Sequence, residues 1–164
     1  MQKKPDTAKG EKKIFRRTIA TNHRARHDYH IEDTVEAGLV LEGSEVKSLR
    51  TKAVSFADCY ARIYENEAWL IGLQLQIYDK TSVQVPLPDR RRKLLLSRRE
   101  IDKLRAKTEA GGRTIVPLEL FFKGPWAKVM LGVGKGKTHG DKRDSARKAD
   151  AKRQIARVLR NARR

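Results

Sequence analysis

Cysteine is nearly absent: Cys59 is the only one in 164 residues. No intrachain disulfide can form, and no cysteine-based zinc site can be assembled. Cys59 lies in FADCYARIY, alternating with polar residues, and reads as a buried strand residue. Long apolar runs are missing too, for no stretch approaches the ~20 apolar residues that a membrane-spanning helix needs. The opening segment MQKKPDTAKGEKKIFRR is charged and lacks the apolar block of a secretory signal. The expectation is a cytoplasmic protein with no membrane partner. Aromatic residues make up 6% and hydrophobic residues 38% of the chain, which limits the core to that of one domain with appendages.

Complete catalytic motifs are also lacking. The stretch GVGKGKTHGDKR (132–143) invites comparison with a phosphate-binding loop, but Gly132, Gly136, Lys137 and Thr138 fall one residue short of the required spacing. That loop also needs a helix opening at its Lys-Thr so that amides and dipole converge on phosphate. Gly140 argues against an immediate helix, and no βαβ scaffold surrounds the stretch. His23, His27 and His30 cluster, but a zinc ion would want a fourth ligand, and Arg24 and Arg26 would repel it. No nucleophile elbow or metal-binding helix is present. Asp141 and Asp144 could be imagined holding Mg²⁺ in a nuclease, yet among lysines and arginines they read as acids at a helix N-terminus. The expectation is a protein that is not an enzyme and takes no cofactor or metal.

What is abundant is positive charge, +18 in all. Residues 1–27 hold nine Lys/Arg against two acids and residues 135–164 hold twelve against three, whereas 28–134 hold seventeen against fifteen. A near-neutral body between two strongly basic ends points to a polyanion partner, nucleic acid first. Arg24-Ala25-Arg26-His27, Arg90-Arg91-Arg92-Lys93 and the tail are the candidate cation sources.

The periodicities predict a mainly β chain. Residues 28–41 alternate as a long strand, with Gly38 at a bend or close approach. A short helix is expected behind Ser44, then two strands, VSFADCYARIY and AWLIGLQLQIY, around the turn ENE. KTSVQVPLPDRRR (80–92) reads as an exposed loop. Ser97 and Glu100 form a capping box for a helix carrying Ile101 and Leu104 on one face, stopped by Gly111-Gly112. RTIVPLELFF and WAKVMLGV are strands joined at KGP. Short connections make the sheet mostly antiparallel, and a small closed or half-closed barrel would protect its edges. In the tail, Ala151, Ile155, Val158, Leu159 and Ala162 form one narrow helical stripe. Like-charge repulsion opposes that helix in isolation, so the tail is expected to be largely unstructured alone and to order against RNA.

NHRARHDYHIEDTVEAGLVLEGSEVKSLR (22–50), RKLLLSRREIDKL (92–104), VPLELFFKG (116–124) and AKVMLGVGKGKTHGDKRD (127–144) closely resemble the SsrA-binding (small protein B) family, in order over residues 22–164. The resemblance implies an α+β, OB-fold-like antiparallel β-barrel with a few short helices over 21–134. Residues 1–20, rich in Lys and poor in apolar residues, lie outside the match and read as a flexible basic arm, while the resemblance implies a basic tail at 135–164 that becomes helical on the ribosome. The implied partners are the tRNA-like domain of transfer-messenger RNA (tmRNA), the ribosome with its small-subunit rRNA and, indirectly, elongation factor Tu with aminoacylated tmRNA. The implied task is rescue of ribosomes stalled on messages without a stop codon, by trans-translation.

Matched by motif, the RNA-binding positions are Asn22, Arg24, Arg26, His27, Glu36, Leu95 and Lys128. By chemistry Lys128 suits phosphate, Leu95 packing on sugar or base, and Glu36 accepting from bases or 2′-hydroxyls. Leu95 as core and Glu36 as a solvated strand residue are the bland readings. The tail positions implied for the decoding centre and mRNA channel are Lys135, Gly136, Lys137, His139, Asp141, Lys142, Arg143, Lys152 and Arg153. The sequence departs from the family pattern at Gly140, where an aromatic or His often stands, and at Thr138, which replaces a second lysine. GVGKGKTHGDKR then reads as a hinge, its glycines giving freedom and its lysines meeting phosphate. A metal-dependent RNA nuclease or a constitutive basic ribosomal protein are the alternatives.

Overall fold

The computed structural model describes residues 15–51, 54–76, 87 and 89–161. Along the chain run β1 (Arg16–Thr21), α1 (His23–Asp28), β2 (Tyr29–Leu39), α2 (Gly43–Arg50), β3 (Val54–Ser55), β4 (Tyr60–Tyr64), β5 (Glu67–Ile71), β6 (Gln74–Leu75), β7 (Arg92–Leu95), α3 (Arg98–Glu109), β8 (Arg113–Lys123), β9 (Trp126–Gly136) and α4 (His139–Asn161). β8 pairs with β9, β9 with β2, β2 with β7, β7 with β5 and β5 with β4, and β4 returns to β8 through Ala61 opposite Ile115. Every pairing is antiparallel, so six strands close a ring, and β1 lies along the free edge of β8 with Arg16 opposite Lys123 and Thr21 opposite Glu119. The expected OB-fold-like barrel is the observed one. β3 and β6 pair separately.

Inward-facing Leu70, Leu94, Ile115, Leu120, Val129, Leu131 and Val133 fill the barrel, and Leu49 of α2 and Leu104 of α3 are buried against it. A fully buried leucine contributes about 1.5–3 kcal/mol by leaving water. The turn between β4 and β5 places Glu65 and Asn66 at φ +43° and +65°, the twist that two-residue hairpins favour. Ser97 and Glu100 cap α3 reciprocally, as expected.

Several expectations need correction. Residues 16–20 are not part of a loose arm: they form most of β1, and Ile19 joins the core. Their alternation is too short and too basic to read as a strand. The helix α2 opens behind Glu42 rather than Ser44, because Glu42 and Glu45 form the capping box there. Cys59 is buried, but in a turn just before β4, and burial pushes its thiol up to about 12. The run Arg90-Arg91-Arg92 is not a free cationic loop. Arg92 opens β7 with no exposed surface, and its Nε donates to Glu45 Oε1 at 2.9 Å. Arg90 donates to the same carboxylate from Nε at 2.9 Å and Nη2 at 2.5 Å, and Lys93 pairs with Glu67. Most of the predicted 80–92 loop, the first fourteen residues and Ala162 lie outside the described residues.

The hinge reading of Gly132 and Gly134 also fails. Both sit inside β9, where a Cβ on Gly132 would come within 2.9 Å of Leu118 and one on Gly134 within 2.4 Å of the His30 carbonyl oxygen. They permit close approach rather than motion. Gly136 ends β9 in open space, so the barrel extends past residue 134. Gly140 does not prevent a helix: α4 opens at His139, because Thr138 and Asp141 supply the cap.

Candidate RNA interface

β2 and β9 form the ladder on which both candidate regions stand. Tyr29 faces Gly136 at one end and Gly38 faces Lys128 nine residues further on, a span of about 30 Å at strand rise. The predicted positions divide between the two ends.

At the Gly38 end, pleat and register assemble one outer face. Ala37 and Leu39 are buried, so Glu36 and Gly38 point outward. Gly38 is flanked by Leu95 of β7 on one side and Lys128 of β9 on the other. A Cβ on Gly38 would lie 3.1 Å from that of Leu95, which is the close approach expected of this glycine. Lys128 stands opposite Phe121 of β8, and Lys123 opposite Trp126. Glu36, Leu95 and Lys128, far apart in sequence, are thereby neighbours across three strands.

The electrostatics of this face are cationic but organised. Lys128 Nζ donates to Glu36 Oε1 at 2.5 Å, and Lys123 Nζ donates to the same oxygen at 3.1 Å. The hydrogen bond from Lys128 holds the Glu36 carboxyl below its ordinary range. Partial burial opposes this, and Lys123 reinforces it. Two ammonium groups thus share one carboxylate, leaving a net positive charge. Arg16 extends the face, its Nη2 2.7 Å from Glu119 and its guanidinium 4.1 Å from the centre of the buried Phe121 ring. Leu95 is 57% exposed while Leu94 is 2%, so the core reading of Leu95 fails. Beside Leu95 is a hollow of about 460 Å³ lined by Asn66, Glu67, Lys93 and Ile101 among others. Such a face can meet phosphate with its lysines, pack a sugar or base on Leu95 and accept hydrogen bonds at Glu36.

At the Tyr29 end stand α1 and the root of the tail. Asn22 Oδ1 accepts from the Ala25 N–H at 3.0 Å and its Nδ2 donates to the Pro117 carbonyl at 2.9 Å. Asn22 is therefore the N-cap that fixes α1 to β8, and it stands at this end of the ladder rather than on the first face. Arg24, Arg26 and His27 are exposed on α1; Arg24 Nε lies 3.3 Å, and His27 Nδ1 3.0 Å, from the Asp28 carboxylate. The Lys137 N–H donates to the Asp28 carbonyl at 2.8 Å and its Nζ to the Arg26 carbonyl at 3.2 Å, which ties the tail to α1. A groove of about 870 Å³ runs between α1 and residues 54–60.

Lys135 and Gly136 are exposed at the end of β9. Asp141 is bound to Thr138, accepting from its hydroxyl at 2.7 Å and its N–H at 3.2 Å, which lowers the carboxyl. The reading of Asp141 as a helix N-terminal acid holds. Arg143 is exposed on α4 and Arg153 lies 3.0 Å from Asp150. His139, Lys142 and Lys152 belong to the backbone of α4, and their side chains lie outside the described residues. Ile155, Val158 and Leu159 are 59–65% exposed, an apolar stripe without cover from the barrel. Sequence reasoning missed Lys123 and Arg16, which reach the first face through strand register; only a correct β1–β8–β9 alignment could have located them.

The sequence model of the SmpB protein family matches residues 19–161. An SsrA-binding protein of Thermobifida fusca is 49% identical, over 99% of this chain and 98% of that one. An SsrA-binding protein of Streptococcus sanguinis is 44% identical over 94% and 97% of the two chains. A solved structure described as tmRNA-SmpB, a journey to the center of the bacterial ribosome, matches with a TM-score of 0.64 and 42% identity, covering 78% of this chain and 94% of that one.

Proposed function

The chain belongs to the SmpB protein family, and from that premise we propose that it binds the tRNA-like domain of tmRNA and brings it to stalled ribosomes in trans-translation. The observation that carries the reading is the outer face on which register gathers Glu36, Leu95 and Lys128 around Gly38. That face holds the RNA. The other end of the same ladder launches α4, whose cationic surface and uncovered apolar stripe serve the small-subunit rRNA and the empty mRNA path, with Lys135 through Arg143 at its root. The tail takes its working helical form on the ribosome. Elongation factor Tu meets the protein only through aminoacylated tmRNA, and the site of action is the cytoplasm.

In this reading no residue makes or breaks a covalent bond. Engagement of Asp141 as the cap of α4 weighs against a Mg²⁺-holding nuclease pair with Asp144. The test is a gel shift with the tRNA-like domain. Lys128→Ala is expected to weaken binding and to lower the steepness of its salt dependence by about one unit. Glu36→Ala weakens it too, by freeing two ammonium groups from their set positions. Unchanged affinity in both variants refutes the assigned face.

A further inference from the structure

Beyond the Glu36, Leu95 and Lys128 cluster, the same face ends in an aromatic tip. Trp126 opens β9 directly after the tight turn at Gly124-Pro125 and is 69% exposed. Trp126 and Lys128 are two residues apart on β9 and so share a side of the sheet. Lys123, opposite Trp126, reaches the Glu36 carboxylate that Lys128 also holds. Phe15 is 76% exposed at the same turn, where its carbonyl accepts from the Gly124 N–H at 3.0 Å. Indole is rarely left this open on an isolated barrel, because its large apolar area gains from cover. Here the barrel core does not use it.

We propose that Trp126 is a stacking platform for one unpaired nucleobase of the RNA bound on this face. The inference rests on the RNA-binding reading above and adds a contact to it. Charge selects the partner: Lys123 stands opposite both Trp126 and Arg16, and Lys128 follows two residues along β9, a setting for phosphate next to a base. Geometry selects an unpaired base, since a base within a duplex has both faces covered by its neighbours, whereas loops and bulges offer a free π-face. Trp126 thereby fixes where along the RNA the lysines grip, without reading sequence.

The test uses the full-length chain and the tRNA-like domain of tmRNA, titrated at several salt concentrations with parent, W126A, W126F and K128A. W126A is expected to weaken binding by about 5- to 20-fold, the lower part of the range for base–aromatic stacking. W126F recovers most of the loss, and W126A leaves the salt slope unchanged because no phosphate contact is removed, whereas K128A lowers it. Exposure of the ring predicts unchanged melting for both Trp126 variants. Parent-like binding by W126A with weakened K128A overturns the platform but leaves the RNA-binding face standing. Parent-like binding by both overturns the face itself. Equal weakening by W126A and W126F, or a reduced salt slope in W126A, also overturns stacking.

Discussion

Glu45→Ala removes a carboxylate on which the barrel's least forgiving charge depends. Glu45 is 3% exposed and Arg92 is fully buried. The carboxylate accepts from Arg92, twice from Arg90 and from the Glu42 N–H at 2.8 Å. Through these bonds α2 is fastened to β7, the strand that presents Leu95. Arg92 retains its bonds to the Leu73 and Arg90 carbonyls, but removing one partner of a buried ion pair costs about 3–5 kcal/mol. Total stabilities are about 5–15 kcal/mol. At about 4 °C per kcal/mol for a domain of this size, the melting temperature should fall by about 12–20 °C. Arg90→Ala, at a partly exposed position whose loss leaves Glu45 still paired with Arg92, should cost less. Replacing Glu45 and Arg92 together by Met and Leu should recover much of the loss. Thermal melts by circular dichroism measure all three variants. A loss below about 1 kcal/mol in Glu45→Ala would refute the reasoning, since the Glu45 carboxylate would then add little to the burial of this cation.

Three further outcomes are expected. Acid titration should unfold the parent progressively. Burial pushes the Glu45 carboxyl up, but the Arg90 hydrogen bond, the Glu42 N–H and the Arg92 charge outweigh it and leave it low. Asp33 is lowered by Lys103 and Lys107, and Glu36 by Lys128. Groups with lowered folded values add stability above the ordinary carboxylate range, which is lost as pH falls below about 4. Fluorescence melts from pH 7 to 3 that showed rising stability would contradict this. Gly134→Ala should destabilise by about 1–3 kcal/mol through the collision with the His30 carbonyl, checked by urea denaturation; a neutral effect would restore the hinge reading. A peptide of residues 137–164 should show little helix by circular dichroism alone and gain it on binding ribosomal RNA, since its apolar stripe lacks a partner. Strong helicity without RNA would count against that.

Legibility in the sequence followed the range of the physics. Local signals were read correctly: the Ser97–Glu100 cap, the β8–β9 hairpin and the helical spacing of Ile155, Val158 and Leu159 each depend on residues within a few positions. Failures came where distant partners decide. A run of three arginines looks like a solvated patch until a glutamate 47 residues away is found to neutralise Arg92. Gly132 and Gly134 look like freedom until Ile31, His30 and Leu118 are seen pressing on them. β1 is too short to announce itself, and its place is set by the open edge of β8. The site followed the same rule. Family motifs named Glu36, Leu95 and Lys128, but only register shows that they meet, that Lys123 joins them, and that Asn22, the cap of α1, stands apart from them.

The central claim is that one end of the β2–β9 ladder holds tmRNA while the tail at the other end acts on the ribosome. The most direct measurement compares the full chain with one cut after Thr138, which spares the β9 pairing through Gly136, in two assays side by side. One is affinity for the tRNA-like domain at moderate salt; the other is peptide tagging on reconstituted stalled ribosomes. The shortened chain should keep affinity within about tenfold, the loss reflecting fewer non-specific phosphate contacts, and should tag nothing. Parallel collapse of both activities, or tagging that survives the cut, would contradict the account.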